Sequence, residues 1–249
     1  MKGMIFAAGI GSRLRPFTDH HPKALAPVGG KPMLRRVIEK FTSAGVREIV
    51  VNIHHFPDQI KEYLRANDNF GADIAISDES DTLLDTGGGL LKARRWLDGD
   101  EPILVHNADI LTDFSIAEME ECHSRSGAAA TLLAFPRESS RQLYFGEDGS
   151  LRGWQNLKTS ELKPAGFRPE ADFERLAFGG VHIVEPRLFP LLEDYSASVG
   201  VVFSIIPFYL ATLAKERYNE FAPSGNFAWH DIGTPEKLAA AEAMLKSRS

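Results

Sequence analysis

The chain has 249 residues, 43% of them hydrophobic and 25% charged, with a formal net charge of -6. That balance predicts a soluble globular protein long enough to bury a substantial core, and the acidic charge argues against a nucleic-acid surface, which needs clustered Lys and Arg. The single cysteine, Cys122, excludes an internal disulfide, and no stretch has the roughly 20 apolar residues of a membrane span or the apolar core of an export leader, so the cytoplasm is the expected compartment.

Gly3 to Ala8 is a short apolar run that ends at Gly9, the pattern of a buried parallel strand entering a tight turn. A glycine-rich loop follows. Pro32 then opens a helix whose Leu34, Val37, Ile38 and Phe41 recur at helical spacing up to Gly45, and Glu48 to Ile53 is the next strand. The alternation continues with a helix over 58–67, a strand over 74–77, a helix over 89–97 and a strand over 103–106. Ser115 and Glu118 have capping-box spacing at the head of a helix carrying Ile116, Met119 and Cys122, before a strand over 128–134. This order predicts a three-layer α/β/α, Rossmann-like fold around a mixed, mainly parallel sheet. Ligands of such sheets bind at the carboxyl ends of the strands, where Gly9, Asn107 and Asp109 fall.

After Phe135 the regularity loosens: an Asp148-Gly149 turn separates short strand candidates, and a polar stretch rich in Lys, Arg and Pro runs to Arg175. Residues 136–177 therefore read as an insertion over the site within a single domain spanning 1–249, since no linker or repeat divides the chain. Beyond it lie a strand over 178–184, a helix over 204–214 in which the aromatic run from Phe203 to Tyr209 reads as core, and a strand over 227–232. Thr234, Pro235 and Glu236 then open a last helix.

The densest chemistry is Ala7-Ala8-Gly9-Ile10-Gly11-Ser12-Arg13-Leu14-Arg15-Pro16, followed by His21-Pro22-Lys23-Ala24-Leu25-Ala26-Pro27-Val28 and Gly30-Lys31-Pro32. Glycines after a first strand let backbone N–H groups approach a phosphate, and Arg13 and Lys23 supply charge for a triphosphate. The spacing is neither the G-x-G-x-x-G of a dinucleotide site nor a G-x-x-x-x-G-K-[ST] P-loop. A nicotinamide enzyme is further disfavoured because His54-His55-Phe56-Pro57 stands where an acidic ribose-binding residue belongs. His54 and His55 have no His or Cys at zinc-site spacing and read as loop residues.

These residues resemble the sugar-phosphate nucleotidyltransferase family, whose signature is G-x-G-[ST]-R-L-x-P, then P-K-x-L-x-P-V, then G-K-P. The likeness extends to Asp85-Thr86-Gly87-Gly88-Gly89, to Asn107-Ala108-Asp109, where the family usually has Gly at position 108, and to Trp229-His230-Asp231-Ile232-Gly233-Thr234-Pro235-Glu236. Within the family, the Thr-Gly-Gly-Gly form and the short length look most like the N-acetylmuramate-1-phosphate uridylyltransferase branch.

The resemblance implies one nucleotidyltransferase domain and a Mg²⁺-dependent reaction of a nucleoside triphosphate with a sugar 1-phosphate, giving a nucleoside-diphosphate sugar and pyrophosphate. It implies no nucleic-acid or membrane partner and leaves a homo-oligomer open. Arg13, Lys23 and Asp109 carry over as catalytic residues; Ala7, Ala8, Gly9, Gly11, Ser12, Arg13, Lys23, Gly87 and Gly88 as nucleotide-binding; Asn107, Lys158 and Gly180 as sugar-binding; and Asp109 and Asp231 as metal ligands. The physical logic agrees, since two mutually repelling phosphates need cations to meet in line, and an already ionised sugar phosphate needs no general base. Asp109 and Asp231 also suit turn chemistry, and Lys158 also reads as a surface lysine. UTP with N-acetylmuramate 1-phosphate is the expected pair. GTP with mannose or heptose 1-phosphate, dTTP with glucose 1-phosphate, and a non-catalytic nucleotide-sugar sensor are the alternatives, the last opposed by the joint presence of Arg13, Lys23, Asp109 and Asp231.

Overall fold

The computed structural model describes residues 1–247. The chain begins with β1 (Lys2–Phe6), a long loop, the small ribbon of β2 (Pro27–Val28) and β3 (Lys31–Pro32), and α1 (Met33–Ser43). Next come β4 (Glu48–Ile53), α2 (Pro57–Ala66), β5 (Asp73–Asp78), α3 (Asp85–Lys92), α4 (Arg94–Leu97), β6 (Ile103–Asn107) and β7 (Ile110–Thr112). The middle of the chain holds α5 (Ile116–Ser126), β8 (Ala130–Phe135), β9 (Arg141–Phe145), β10 (Leu151–Asn156), β11 (Glu161–Lys163) and β12 (Glu174–Val184). It closes with α6 (Phe189–Val199), α7 (Ile205–Ala211), β13 (Tyr218–Phe221), β14 (Trp229–Asp231) and α8 (Pro235–Ser247). No helix of the described residues is long and apolar enough to cross a membrane.

The main sheet runs β11-β10-β9-β12-β6-β1-β4-β5, with β8 and β13 attached through β12. It is a mixed, mainly parallel Rossmann-like sheet in its nucleotide-side half, where β6, β1, β4 and β5 are all parallel. Side-chain alternation along each strand sorts the core into two layers. Met4, Val50, Leu132 and Val184 face one cluster with α3, α4, α6 and α7, whereas their neighbours Ile5, Val51, Leu133 and Ile183 face another with α1, α2 and α5. Leu14, Val28, Met33, Ile232 and Ala241 form a third, smaller cluster that seats α8 against the first loop.

The second half of the sheet is antiparallel. β12 pairs with β9 through Glu174–Leu176 and with β6 through Val181–Val184. Between these stretches its pairing with β8 shifts register from Phe178 to His182, a bulge at Gly179-Gly180 where Gly180 has φ +76°. Residues 136–177, read from sequence as an insertion, supply β9, β10, β11 and the start of β12. The capping box forms on one side only, with the Glu118 N–H donating to Ser115 Oγ at 3.2 Å. The helix expected from Gly89 starts at Asp85 instead and takes all three glycines into its buried first turns.

Candidate active site

The carboxyl ends of β1 and β6 and the loop after β1 enclose a cavity of about 480 Å³ lined by Ala7, Ala8, Gly9, Gly11, Ser12, Arg13, Lys23, Asn107 and Asp109. The loop takes this course because Gly11 adopts φ +68° and any Cβ there would stand 2.9 Å from both Lys23 Cβ and Thr18 Cγ2. Glycine thus lets Lys23 fold back beneath the loop. Thr18 Oγ1 donates to Gly11 O at 2.9 Å, and the Ala7 N–H donates to Asn52 Oδ1 at 2.7 Å. Asn52 in turn donates to Glu79 Oε1 at 2.8 Å, and the fully buried Glu79 also accepts from the Leu84 N–H at 3.0 Å. His55 donates to Thr18 O and ties the loop to the end of β4, while His54 donates to Glu79 O and ties β4 to the segment after β5. The buried carboxyl of Glu79 is thus hydrogen-bonded at both oxygens.

The charged residues converge at one end of the cavity. Lys23 Nζ is ion-paired with Asp109 Oδ2, and Lys237 with Asp231 Oδ2. Lys23 is the more enclosed partner, its side chain 11% exposed against 30% for Asp109. The two aspartates are joined through the β7–β14 ribbon, in which Asp231 lies opposite Ile110 and the Ile232 N–H donates to Asp109 O at 3.0 Å. A Cβ on Gly233 would stand 2.9 Å from Asp231 Oδ1, 3.2 Å from an Arg13 guanidinium nitrogen and 3.7 Å from Lys23 Nζ. Gly233 is therefore the gap around which Arg13, Lys23 and Asp231 gather. Burial pushes the Asp231 carboxyl up, but hydrogen bonds from Lys237 and the Gly233 N–H, with the charges of Lys237 and Lys23, bring it below the usual carboxylate value. Arg13 has no ion-pair partner among the described residues.

A second cavity, about 630 Å³, adjoins the first through Asp85, Thr86 and Asn107, which line both. Its walls carry Arg137, Arg141, Trp154, Asn156, Lys163 and His182. Gly180 lies behind its junction: a Cβ there would meet Asn107 Nδ2 at 2.9 Å, so the bulge leaves room for Asn107. Trp229 Nε1 donates to Gly179 O at 2.8 Å and ties the bulge to β14.

Five expected site residues line neither cavity: Gly180 and Asp231, which stand behind the walls, and Lys158, Gly87 and Gly88, whose assignments need correcting. Lys158 lies exposed in the turn between β10 and β11 and does not line the cavity; Lys163, on β11, does. The hairpin decides this, because Lys158 lies in the turn beyond the last pair, Asn156 with Glu161, whereas Lys163 pairs with Trp154, which lines the same cavity. Gly87 and Gly88 line neither cavity. They are buried because α3 packs against the 201–203 segment, where a Cβ on Gly87 would fall 2.4 Å from the Phe203 ring and one on Gly88 2.2 Å from Val201 O. The close approach is real, but its partner is the protein's own backbone. Sequence reading also missed Asn52 and Glu79, and Arg137, for which no motif provides a signal.

Among the described residues no cluster of three or more His, Cys, Asp or Glu could hold a metal unaided. Asp109 and Asp231, linked through the β7–β14 ribbon, offer hard oxygen donors, each now balanced by an ammonium group. That set suits a cation such as Mg²⁺, which keeps waters and completes its shell with substrate phosphates.

The family described as nucleotidyl transferase matches residues 2–248, nearly the whole chain. The chain is 31% identical over 250 residues to the N-acetylmuramate alpha-1-phosphate uridylyltransferase of Caulobacter vibrioides, covering 97% of this chain and 96% of that protein. It is 33% identical over 245 residues to the enzyme of the same name from Neisseria meningitidis serogroup B, covering 98% of each. In structure it resembles an apo UDP-glucose pyrophosphorylase with a TM-score of 0.79 at 18% identity, covering all of both chains. The chain belongs to the nucleotidyltransferase family and shares its Rossmann-like fold.

Proposed function

We propose that the protein transfers a uridylyl group from UTP to N-acetylmuramate 1-phosphate with the help of Mg²⁺, releasing pyrophosphate. The observation that carries this reading is the convergence of Arg13, Lys23, Asp109 and Asp231 at one end of a cavity that opens through Asn107 into a second one. The choice of base and sugar is supported by the full-length similarity to two proteins named for that reaction.

In this reading the loop from Ala7 to Arg13 wraps the triphosphate, and Arg13 and Lys23 offset its charge. The sugar phosphate enters from the second cavity, and one of its oxygens attacks the α-phosphorus in line while pyrophosphate leaves. The nucleophile is already ionised near neutral pH, so positioning and charge stabilisation supply the catalysis. Bound Mg²⁺ would be held by Asp109 and Asp231 and would neutralise charge on the phosphates. Asn107, at the junction, is placed to orient the groups that meet there. A cytoplasmic setting follows from the substrates.

The test is pyrophosphate release from each of four nucleoside triphosphates against N-acetylmuramate, glucose, N-acetylglucosamine, mannose and heptose 1-phosphates, with Mg²⁺ and with a chelator. Turnover confined to UTP and N-acetylmuramate 1-phosphate, abolished by the chelator, is the expected result. Selective turnover of another pair would replace the substrates, and chelator-resistant turnover would remove the metal.

A further inference from the structure

The second cavity contains a cation that the family signature does not touch. Arg137 follows β8 and lines this cavity, more buried than exposed. Its guanidinium lies 4.4 Å from the centre of the Trp229 ring and 6.0 Å from that of Phe135, a stacking that fixes its plane. Of the five N–H donors of a guanidinium, one goes to Phe178 O at 2.8 Å and one to Glu138 O at 3.3 Å. Nε is buried with no partner. No carboxylate of the described residues lies within ion-pair distance of Arg137. By contrast, Arg35, Arg94 and Arg217 each pair with an acidic side chain.

A charge taken from water without a close ion-pair partner is costly: burial lowers the Arg137 pKa, and the more distant Asp231 carboxylate offsets only part of that. The other cations of the cavity differ. Lys163 is paired with Glu161 at 3.2 Å, and Arg141 is exposed. Arg137 sits on the side of the cavity nearest the aspartates: it stacks on Trp229, two residues before Asp231, and holds the carbonyl of Phe178, two residues before the Gly180 that abuts Asn107. A planar fork with unused donors, set in the second cavity beside the segments that carry Asp231 and Gly180, matches a phosphate dianion.

We propose that Arg137 binds the phosphate of the sugar 1-phosphate and holds it at the junction for attack. This rests on the functional reading above, and it adds a substrate-binding residue that supplies the role first assigned to Lys158. The aromatic shelf, not charge alone, sets the geometry, so lysine is an imperfect replacement.

The test compares wild type, Arg137→Ala and Arg137→Lys in steady-state kinetics, with thermal melts to confirm folding. Arg137→Ala should raise KM for the sugar 1-phosphate by about tenfold to a hundredfold while KM for the nucleotide stays within about threefold. Arg137→Lys should recover part of the loss. Independently, inorganic phosphate is titrated calorimetrically into Arg13→Ala and Arg13→Ala/Arg137→Ala proteins, where the triphosphate loop is weakened equally; the second should bind about tenfold more weakly. An unchanged sugar-phosphate KM, equal phosphate affinities, or a rise confined to the nucleotide KM would overturn the assignment. Phosphate binding that depends on Arg137 in a protein that turns over no sugar 1-phosphate would sink the functional reading and, with it, the sugar-phosphate role, leaving Arg137 as a phosphate ligand only.

Discussion

The two cavities are built in different ways. On the nucleotide side one loop, Ala7 to Arg13, supplies about a third of the lining residues, with Lys23 following closely in sequence. The sugar side is made from side chains on β9, β10, β11 and β12 and the segment after β8, brought together by antiparallel pairing, and from Ser204 to Leu210 at α7. A wall of backbone constrains residue type at every position, because glycine is needed where the chain turns or a side chain passes close. A wall of side chains constrains only the residues that happen to face inward.

That contrast breaks most sharply at the residues between the cavities. Asp109→Ala should lower kcat by about a thousandfold or more, because it removes a carboxylate from the point where charge accumulates. Pyrophosphate release measures this directly, and turnover within about tenfold of wild type would take Asp109 out of the chemistry. Next in size, Lys23→Ala should reduce kcat/KM for the nucleotide by about a hundredfold while KM for the sugar 1-phosphate moves less than about threefold. If both KM values moved together, the two cavities would not be separate binding surfaces.

On the sugar side the effects should be smaller. Lys163→Ala should raise the sugar-phosphate KM by roughly fivefold to tenfold, whereas Lys158→Ala should leave it within about twofold. The reverse ranking would restore the sequence assignment.

The smallest effect concerns acid stability. Burial holds the His106 imidazole down to about 4 and the His182 imidazole down to about 3. Both are neutral when folded and gain protons more readily when unfolded, so their stabilising contribution is full above the ordinary histidine pKa and is lost as pH falls from there toward 4 and then 3. Tm should therefore decline on acidification from pH 7 to 5. His182→Phe, which removes the group beneath the sugar cavity, should flatten that slope; an unaltered slope would mean His182 is not buried in solution.

Much of the nucleotide side was legible in the sequence because its signal is local. Gly9, Gly11, Arg13 and Lys23 could be placed together before the fold was known, and Asp109 followed from its position after a strand. The supports beneath them were not legible, since Asn52 lies on β4 and Glu79 just past the end of β5, and neither carries a motif. Gly87 and Gly88 misled because a glycine required for packing against Phe203 has the same letter as one required for a ligand. On the sugar side the polar composition of 158–175 concealed β11 and the start of β12, strands whose outward faces are hydrated. Lys158 and Lys163 could be told apart only once the position of the β10–β11 turn was known.

The β7–β14 ribbon pairs a segment made late in synthesis, Trp229–Asp231, with one made long before it, Ile110–Thr112. Until residues 229–233 have left the ribosome and paired with 110–112, a nascent chain holds its first loop and Asp109 but lacks Asp231. On the proposed reading, in which both carboxylates are needed, the ribbon would make the last strand of the chain a condition for activity.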